Sequence, residues 1–274
     1  MPSLHSHPPS PPPLITLTTD FGLRDTYVAQ IKGVILGILP HARIVDITHE
    51  VSPQDVTGGC LALESALHAF NPSTIHAAII DPGVGANRAA VAMQTALGTF
   101  VGPDNGVLTS ALGGSDDFVA VTLTNESFHR RPPSPTFHGR DIFAPAAAHL
   151  AAGVSLNELG DPIENLVTLD MPGPVEKDNG LNLIVLATDR FGNLITNLTR
   201  ERWQHRPTND RHDVRIDLAG RTLTGIARTF GDVEPGTPVA YFGSGGRLEI
   251  ALRDGDAAAQ LGAGPGTPLK LRTG

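Results

Sequence analysis

The 274-residue sequence predicts an α/β class fold: an N-terminal α/β domain with a largely parallel sheet, followed by a smaller β-rich C-terminal domain. Three observations lead there. From residue 14 to about residue 151, short apolar β-runs alternate with segments of helical periodicity, the pattern of strand–helix–strand units. A stretch rich in Pro, Gly and charge, 171–180 (MPGPVEKDNG), then breaks the pattern and reads as a linker. Beyond it only short β-runs recur, separated by glycines or prolines, as in a small β-barrel or sandwich. The expected boundaries are a Pro-rich tail over 1–13, the α/β domain over 14–172, a linker over 173–180 and the β domain over 181–274.

Each element has its own signal. Residues 14–19 (LITLTT) are a β-rich run that ends in Asp20-Phe21-Gly22. Over 26–39, Val28, Ile31, Ile35 and Ile38 fall on one helical face, and Pro40 stops the helix. A second strand is expected over 43–47 and a second helix over 56–70, stopped by Asn71-Pro72. Residues 74–80 (TIHAAII) read as a buried strand ending in Asp81-Pro82-Gly83. Residues 89–94 and 98–101 look like a hairpin, 118–123 like another strand and 141–151 like an Ala-rich helix. The C-terminal β-runs are 181–188, 214–218, 237–242, 247–252 and 268–271.

Composition excludes several function classes. The net charge of −8 gives no overall basic footprint for nucleic acid, and 5% aromatics leave little for a base-stacking platform. The local cluster His129-Arg130-Arg131 runs into Pro132-Pro133 and reads as a solvated loop. One cysteine, Cys60 in an apolar run, rules out an intrachain disulfide and a multi-cysteine zinc site, and reads as a core residue. Among the 11 histidines, only His5-x-His7 in the tail has metal-ligand spacing, so no metal is expected. No apolar run is long enough to span a membrane, and residues 1–13 lack the regions of a secretory signal, so a cytoplasmic protein is expected. The sequons at Asn125 and Asn197 are then chance matches.

Ligands of parallel α/β sheets bind at the carboxyl ends of strands. Three such ends carry acids or glycines: Thr19-Asp20-Phe21-Gly22, Asp81-Pro82-Gly83-Val84-Gly85 and Gly102-Pro103-Asp104-Asn105-Gly106. Each alone reads equally as a turn or a helix cap. A carboxylate there can also accept both hydroxyls of a ribose. The dinucleotide fingerprint fails, because Arg88 stands where the third Gly is needed and a strand follows instead of a helix. Asp81, Arg88 and His138 together supply an acid, a permanent cation and a titratable ring that can orient a water and tune its proton affinity.

Six motifs stand in order along the chain: TTDFG-x-x-D-x-Y-V-x-x-x-K-G, IDPGVG-x-x-R, VGPDNGVL, TFHGRDIFAPAAA, DRFGN-x-x-TN and GS-x-G-x-LEIA, the last followed by Asp256-Ala257-Ala258. Together the motifs resemble those of the S-adenosyl-L-methionine (SAM) hydroxide adenosyltransferase family, the SAM hydrolases, which are relatives of the SAM-dependent fluorinase and chlorinase. The likeness runs from Thr18 to about Leu261.

The resemblance implies a C-terminal β-barrel, a homotrimer with active sites between subunits, and attack of water or hydroxide on C5′ of SAM to give adenosine and L-methionine. It implies no metal and no cofactor, SAM being the substrate and the small-molecule partner. By motif, Asp20 matches the ribose-binding acid, and Asp81, Arg88 and His138 match the set around the nucleophilic water, with either Asp81 or His138 taking the proton. Asp189 and Asn193 match the groups for the methionine amine and carboxylate. Ser244 matches the same side of the pocket, the backbone of Asp256–Ala258 matches the adenine contact, and Phe191 is expected to pack rather than bind. A halogenase is the alternative, but Asp81 would repel a halide. A non-catalytic SAM- or adenosine-binding regulator is another; it would tolerate loss of Arg88 or His138, and both are present. The tail and a polar loop at 205–212 match no motif.

Overall fold

A computed structural model describes residues 12–115, 117–177, 180–206 and 213–273. Most of the tail, with His5 and His7, and residues 207–212 of the polar loop lie outside the described residues. The chain divides into two compact units, Met1–Leu169 and Asp170–Gly274.

The first unit contains strands β1 (Leu14–Thr19), β2 (Arg43–Thr48), β3 (Ile75–Ile79), β4 (Ala90–Thr95), β5 (Gly98–Pro103), β6 (Val119–Thr122) and β7 (Pro162–Ile163). Its helices are α1 (Tyr27–Ile38), α2 (Val56–Leu67) and α3 (Ala144–Ala151). The strand order is β2-β1-β3-β5-β4-β6-β7. The pairs β1–β2, β1–β3 and β3–β5 are parallel, whereas β4–β5, β4–β6 and β6–β7 are antiparallel. The expected largely parallel sheet is therefore parallel on one side only. The cause is local: Ala96-Leu97 closes a tight hairpin in which Thr95 pairs with Gly98, so the chain reverses at β5 instead of crossing over through a helix.

Strand periodicity splits the core in two. Ile15, Leu17, Ile75, Ala77 and Ile79 face the layer formed by α1 and α3, where Ile31, Ile35 and the alanines of α3 meet them. Ala78, Ile80, Met93 and Phe100 face the other way, toward Leu63 and Leu67 of α2. Cys60 is buried in α2, as a small core residue. The α3 alanines let the helix lie close on the sheet, and Phe143 supplies the bulk at its start.

The second unit is an eight-stranded antiparallel sheet of β8 (Val175–Lys177), β9 (Gly180–Thr188), β10 (Leu194–Thr199), β11 (Arg215–Leu218), β12 (Arg221–Thr224), β13 (Pro238–Phe242), β14 (Arg247–Leu252) and β15 (Pro268–Arg272). The order β12-β11-β15-β9-β10-β14-β13 curls into a nearly closed barrel. β12 approaches β13, and a single bridge between Ala227 and Tyr241 stands where a closing ladder would run. Its core is a separate cluster around Leu181, Leu194, Ile216, Leu248, Ile250 and Leu271. β8 lies within the stretch whose composition reads as a linker, and it pairs with the start of β9. Two short helices, α4 (Arg200–Gln204) and α5 (Ala257–Leu261), complete the unit.

One buried polar group in the first sheet has a consequence for stability. His76 on β3 is fully buried, stacks on Phe100 and meets Thr16 Oγ1 at 2.8 Å through Nδ1. Burial pushes its pKa down to about 4. The unfolded chain therefore binds this proton at a higher pH than the folded one does. Stability is lost as pH falls from 6.5 toward about 4. The full loss from this group is about 3 kcal/mol. Urea midpoints should fall more steeply over that window in the wild type than in His76→Leu; parallel curves would show that His76 is not the group responsible.

Candidate active site

The site begins with the parallel half of the sheet. β1 and β3 are neighbours, with Thr19 opposite Ile79, so Asp20 and Asp81 leave the sheet at the same edge. β5 ends beside them in Asp104 and Asn105. Asn105 Nδ2 donates to the Ile80 carbonyl at 2.8 Å and pins the chain one residue before Asp81. Asp104 Oδ1 accepts from the Val167 amide at 2.8 Å, and burial holds this carboxyl above its ordinary range.

Between Asp81 and Arg88 the chain makes successive turns, Val84 N–H to Asp81 O at 3.2 Å and Ala86 N–H to Gly83 O at 3.0 Å. Gly85 has a left-handed φ of +76°, and a Cβ there would overlap the Pro135 carbonyl. That close approach brings the 81–88 turn against the segment that leads to His138. Arg88 reaches back over the turn, and its Nε donates to Asp81 Oδ1 at 2.9 Å and Oδ2 at 3.0 Å. Its Nη2 donates both to Asp81 Oδ2 and, at 2.8 Å, to Nδ1 of His138. The Arg88 and Asp81 side chains are only 10% and 6% exposed, and the guanidinium lies 5.1 Å from the Phe143 ring centroid.

This geometry sets a protonation state. A guanidinium only donates, so His138 Nδ1 must accept, and the ring is neutral with its proton on Nε2. Burial and the Arg88 charge lower the His138 pKa, against weaker raising effects of Asp81 and Asp141, so the ring stays neutral to below its usual range. The Asp81–Arg88 pair is charge-balanced and bidentate, the strong form of this interaction.

His138 stands at the head of a π-turn, Gly139–Phe143, which precedes α3 where a regular helix over 141–151 is expected. The wider turn carries Asp141 into the interior, fully buried. Its carboxylate accepts from Arg140 Nε and Nη2 at 2.7 Å each, from the Ser134 amide at 2.8 Å and from Arg130 at 3.4 Å. Burial raises its pKa, but these bonds outweigh that and hold it below the ordinary carboxylate range. Asp141 thus ties both ends of the 130–141 segment, and the basic run at 129–131 serves in part to hold this loop. Sequence reasoning passed over Asp141, although it lies in the same motif as His138.

Asp20 accepts at Oδ2 from the Gln54 amide at 2.8 Å, which leaves its other oxygen for a ligand. Gln54 takes a left-handed φ of 67° to make that bond. Phe21, Tyr27 and Phe137 form an aromatic cluster beside it, in which Phe137 meets both other rings edge to face.

In the second unit, Asp189 and Asn193 close the turn between β9 and β10. Asp189 Oδ1 accepts from the amides of Phe191 at 2.9 Å and Asn193 at 2.8 Å, and its Oδ2 accepts from Asn193 Nδ2 at 2.8 Å. Gly192 there has φ +82°, and a Cβ would overlap the Asp256 carboxylate. The Ala258 amide donates to the Gly192 carbonyl at 2.9 Å, and Asp256 Oδ1 caps α5 through the Ala259 amide at 2.8 Å. The turn and the start of α5 therefore form one piece. Ser244 is exposed on the turn between β13 and β14. Nearby, Tyr241 donates to Glu249 Oε2 at 2.8 Å. Burial raises the Glu249 carboxyl, the Tyr241 bond lowers it, and the charge of Asp189 raises it again, for a net upward shift. Phe191, expected to pack, is instead 76% exposed, because its turn points the ring away from the core of its own unit.

Comparison with known proteins agrees with the motifs. The family model described as the SAM hydroxide adenosyltransferase N-terminal domain matches residues 15–160, and that for the C-terminal domain matches residues 183–270. A curated (R)-S-adenosyl-L-methionine hydrolase from Salinispora tropica is 38% identical over 270 residues, covering 97% of this chain and 100% of the relative. A fluorinase from Actinoplanes sp. is 31% identical and covers 87% of this chain and 90% of its own. The crystal structure of an uncharacterized conserved protein from Thermotoga maritima superposes with a TM-score of 0.87 at 37% identity, covering 94% of this chain and 99% of that one.

The Asp141 anchor can be tested without any activity assay. Asp141→Asn keeps the size but leaves two guanidiniums against a neutral amide, and should lower unfolding stability by about 2–3 kcal/mol. Chemical denaturation measures this; a change within about 0.5 kcal/mol would mean that the carboxylate charge is not what holds the loop.

Proposed function

The chain belongs to the SAM hydroxide adenosyltransferase family, and from that premise we propose that it hydrolyses SAM to adenosine and L-methionine. The observation that carries the reading within this chain is the continuous Asp81–Arg88–His138 hydrogen-bonded chain at the carboxyl edge of the parallel strands.

The chemistry asks little of the protein beyond placement. The sulfonium leaves as a neutral thioether, so no acid is needed on the leaving group. The difficulty is to hold a weakly nucleophilic water in line with the C5′–S bond, a task for which positioning is worth several kcal/mol. His138 offers an Nε2–H that can donate to the water oxygen and fix its orientation. Attack forms the C5′–O bond as C5′–S breaks, and yields a protonated alcohol that is a far stronger acid than water. A carboxylate suffices to take that proton, and Asp81 is the group with lone pairs to spare, since the Nδ1 lone pair of His138 is engaged by Arg88. Arg88 holds both the acceptor and the orienting ring and offsets the carboxylate charge.

The substrate-binding assignments are part of the same proposal and rest on the family motifs. Asp20, with one oxygen held by Gln54 and one open, takes the ribose hydroxyls. Asp189 and Asn193 take the methionine amine and carboxylate with Ser244 beside them, and the backbone at Asp256–Ala258 takes adenine. We take a homotrimeric assembly from the resemblance; two domains, 14–172 and 181–274 joined by 173–180, and a cytoplasmic location are our readings from composition, with β8 of the joining stretch pairing onto the second domain. Among the described residues no helix is long and apolar enough to cross a membrane. The halogenase reading is disfavoured by Asp81, whose carboxylate would repel a halide at the position of the water.

Purified protein incubated with SAM alone should release adenosine and methionine in equal amounts, followed by chromatography. Asp81→Ala, Arg88→Ala and His138→Ala should each lower kcat by about 100-fold or more. Absence of turnover, or a 5′-halo-adenosine formed only when halide is added, would overturn the reading. Because neutral His138 is the working form and its pKa is lowered, kcat should be level above pH 6.5 and decline only at more acid pH. His138→Gln should lose that acid limb, and an unchanged limb would assign it to another group.

A further inference from the structure

A second buried histidine lies outside the machinery described so far. His49 follows β2 and is 3% exposed. Its Nδ1 meets Thr19 Oγ1 at 2.8 Å, and its Nε2 lies 3.1 Å from Asp46 Oδ1. Asp46 in turn is held by Lys32 Nζ at 2.6 Å. The four residues form a line from the surface of α1 to the last residue of β1, directly before Asp20.

The line exists because of an irregularity in the sheet. In a regular strand, residues three apart face opposite sides. Here the register between β1 and β2 shifts, with Leu17 opposite Asp46 and Thr18 opposite Thr48. The extra residue, Ile47, reverses the phase of the pleat and brings Asp46 and His49 to the same side. The Thr19 hydroxyl also accepts from the Phe21 amide at 3.3 Å, and its proton is free to point at His49 Nδ1. The other ring nitrogen, Nε2, is buried 3.1 Å from Asp46 Oδ1 without forming an aligned hydrogen bond. The His49 carbonyl accepts the Gly22 amide at 2.8 Å, so the same residue grips the Thr19–Gly22 turn from both sides.

We propose that His49 is a positioning residue for Asp20: braced by Asp46 and Lys32, it locks Thr19 and Gly22 and so fixes the carboxylate that receives the ribose. The proposal rests on the reading of Asp20 as the ribose-binding acid. Asp20 itself is held from the same segment, by Gln54. Residues 46–54 therefore act as a template for the turn, and the side chain of His49 is the part that a substitution can remove.

Adenosine binding by calorimetry tests this in four proteins: wild type, His49→Ala, Asp20→Ala and the double variant. His49→Ala should weaken adenosine binding about 10-fold, a coupling of about 1.4 kcal/mol, and raise KM for SAM similarly with kcat within about twofold. In the Asp20→Ala background the same change should have no further effect. Two size-conserving variants separate positioning from bulk packing. Asn in His49→Asn can still accept from Thr19, and should restore most of the affinity. Gln in His49→Gln reaches toward Asp46 instead, and should not.

Equal losses in both backgrounds, or equal behaviour of the Asn and Gln variants, would overturn the proposal while leaving the ribose role intact. Wild-type affinity in His49→Ala with a weakened Asp20→Ala would do the same. An Asp20→Ala variant that binds adenosine as tightly as wild type would remove the ribose role itself, and the proposal with it. If His49→Ala does not fold, the Asn and Gln variants carry the comparison.

Discussion

One arginine holds the site together. Arg88 spends one edge of its guanidinium on Asp81 and the outer face of Nη2 on His138, and its plane rests near the Phe143 ring. Because a guanidinium cannot accept a hydrogen bond or lose its proton, the partners have no freedom in their own states. Asp81 accepts from it through both carboxylate oxygens, and His138 is held as the neutral ring with its proton on Nε2. A lysine could supply the charge but not the fork, and would leave one of the two partners unconstrained.

Much of the first unit can be understood as what is needed to bring these groups together. The parallel pairing of β1, β3 and β5 delivers Asp20, Asp81 and Asn105 to one edge. Gly85 permits the backbone contact with Pro135 that a side chain would block. Asp141 fastens the far segment by four donors, so that a residue fifty positions from Arg88 arrives within hydrogen-bond distance of it. Buried charge of this kind costs desolvation energy, and here the cost is offset by nearly complete pairing. The histidines divide in the same way. His76 is buried in the core against Phe100, His49 is the proposed brace of a turn, and His138 is the ring proposed to face the water. Their sequence contexts do not tell them apart, but their partners do.

The strongly periodic elements were legible in the sequence. β1 and α2 begin where expected, and α1 and β3 differ by a residue at their ends. Strand direction was legible only in part: the hairpin expected over 89–101 is the antiparallel β4–β5 pair, but that β6 and β7 continue antiparallel beyond it was not. β10 went unread because its Leu-Ile-Thr-Asn-Leu-Thr run does not alternate cleanly and follows directly on a turn. In the site, the residue types Asp, Arg and His suggested the chemistry, and the ordered motifs supplied the family. Neither could show that Arg88 joins the other two, since that contact depends on tertiary placement. Asp141 and His49 were missed for a related reason. A polar residue reads as exposed until its buried partners are seen, and those partners come from Arg140, Arg130 and Ser134 in one case and Thr19 and Asp46 in the other.

The protonation state of His138 is the direct consequence of the Arg88 contact. Nitrogen NMR of ¹⁵N-histidine-labelled protein, with His138 assigned through His138→Gln, reports directly which ring nitrogen carries the proton. A neutral ring at pH 7 with Nε2 protonated and Nδ1 bare is expected, and a ring released from that single tautomer in Arg88→Lys. A proton on Nδ1, or a doubly protonated ring at pH 7, would contradict this assignment.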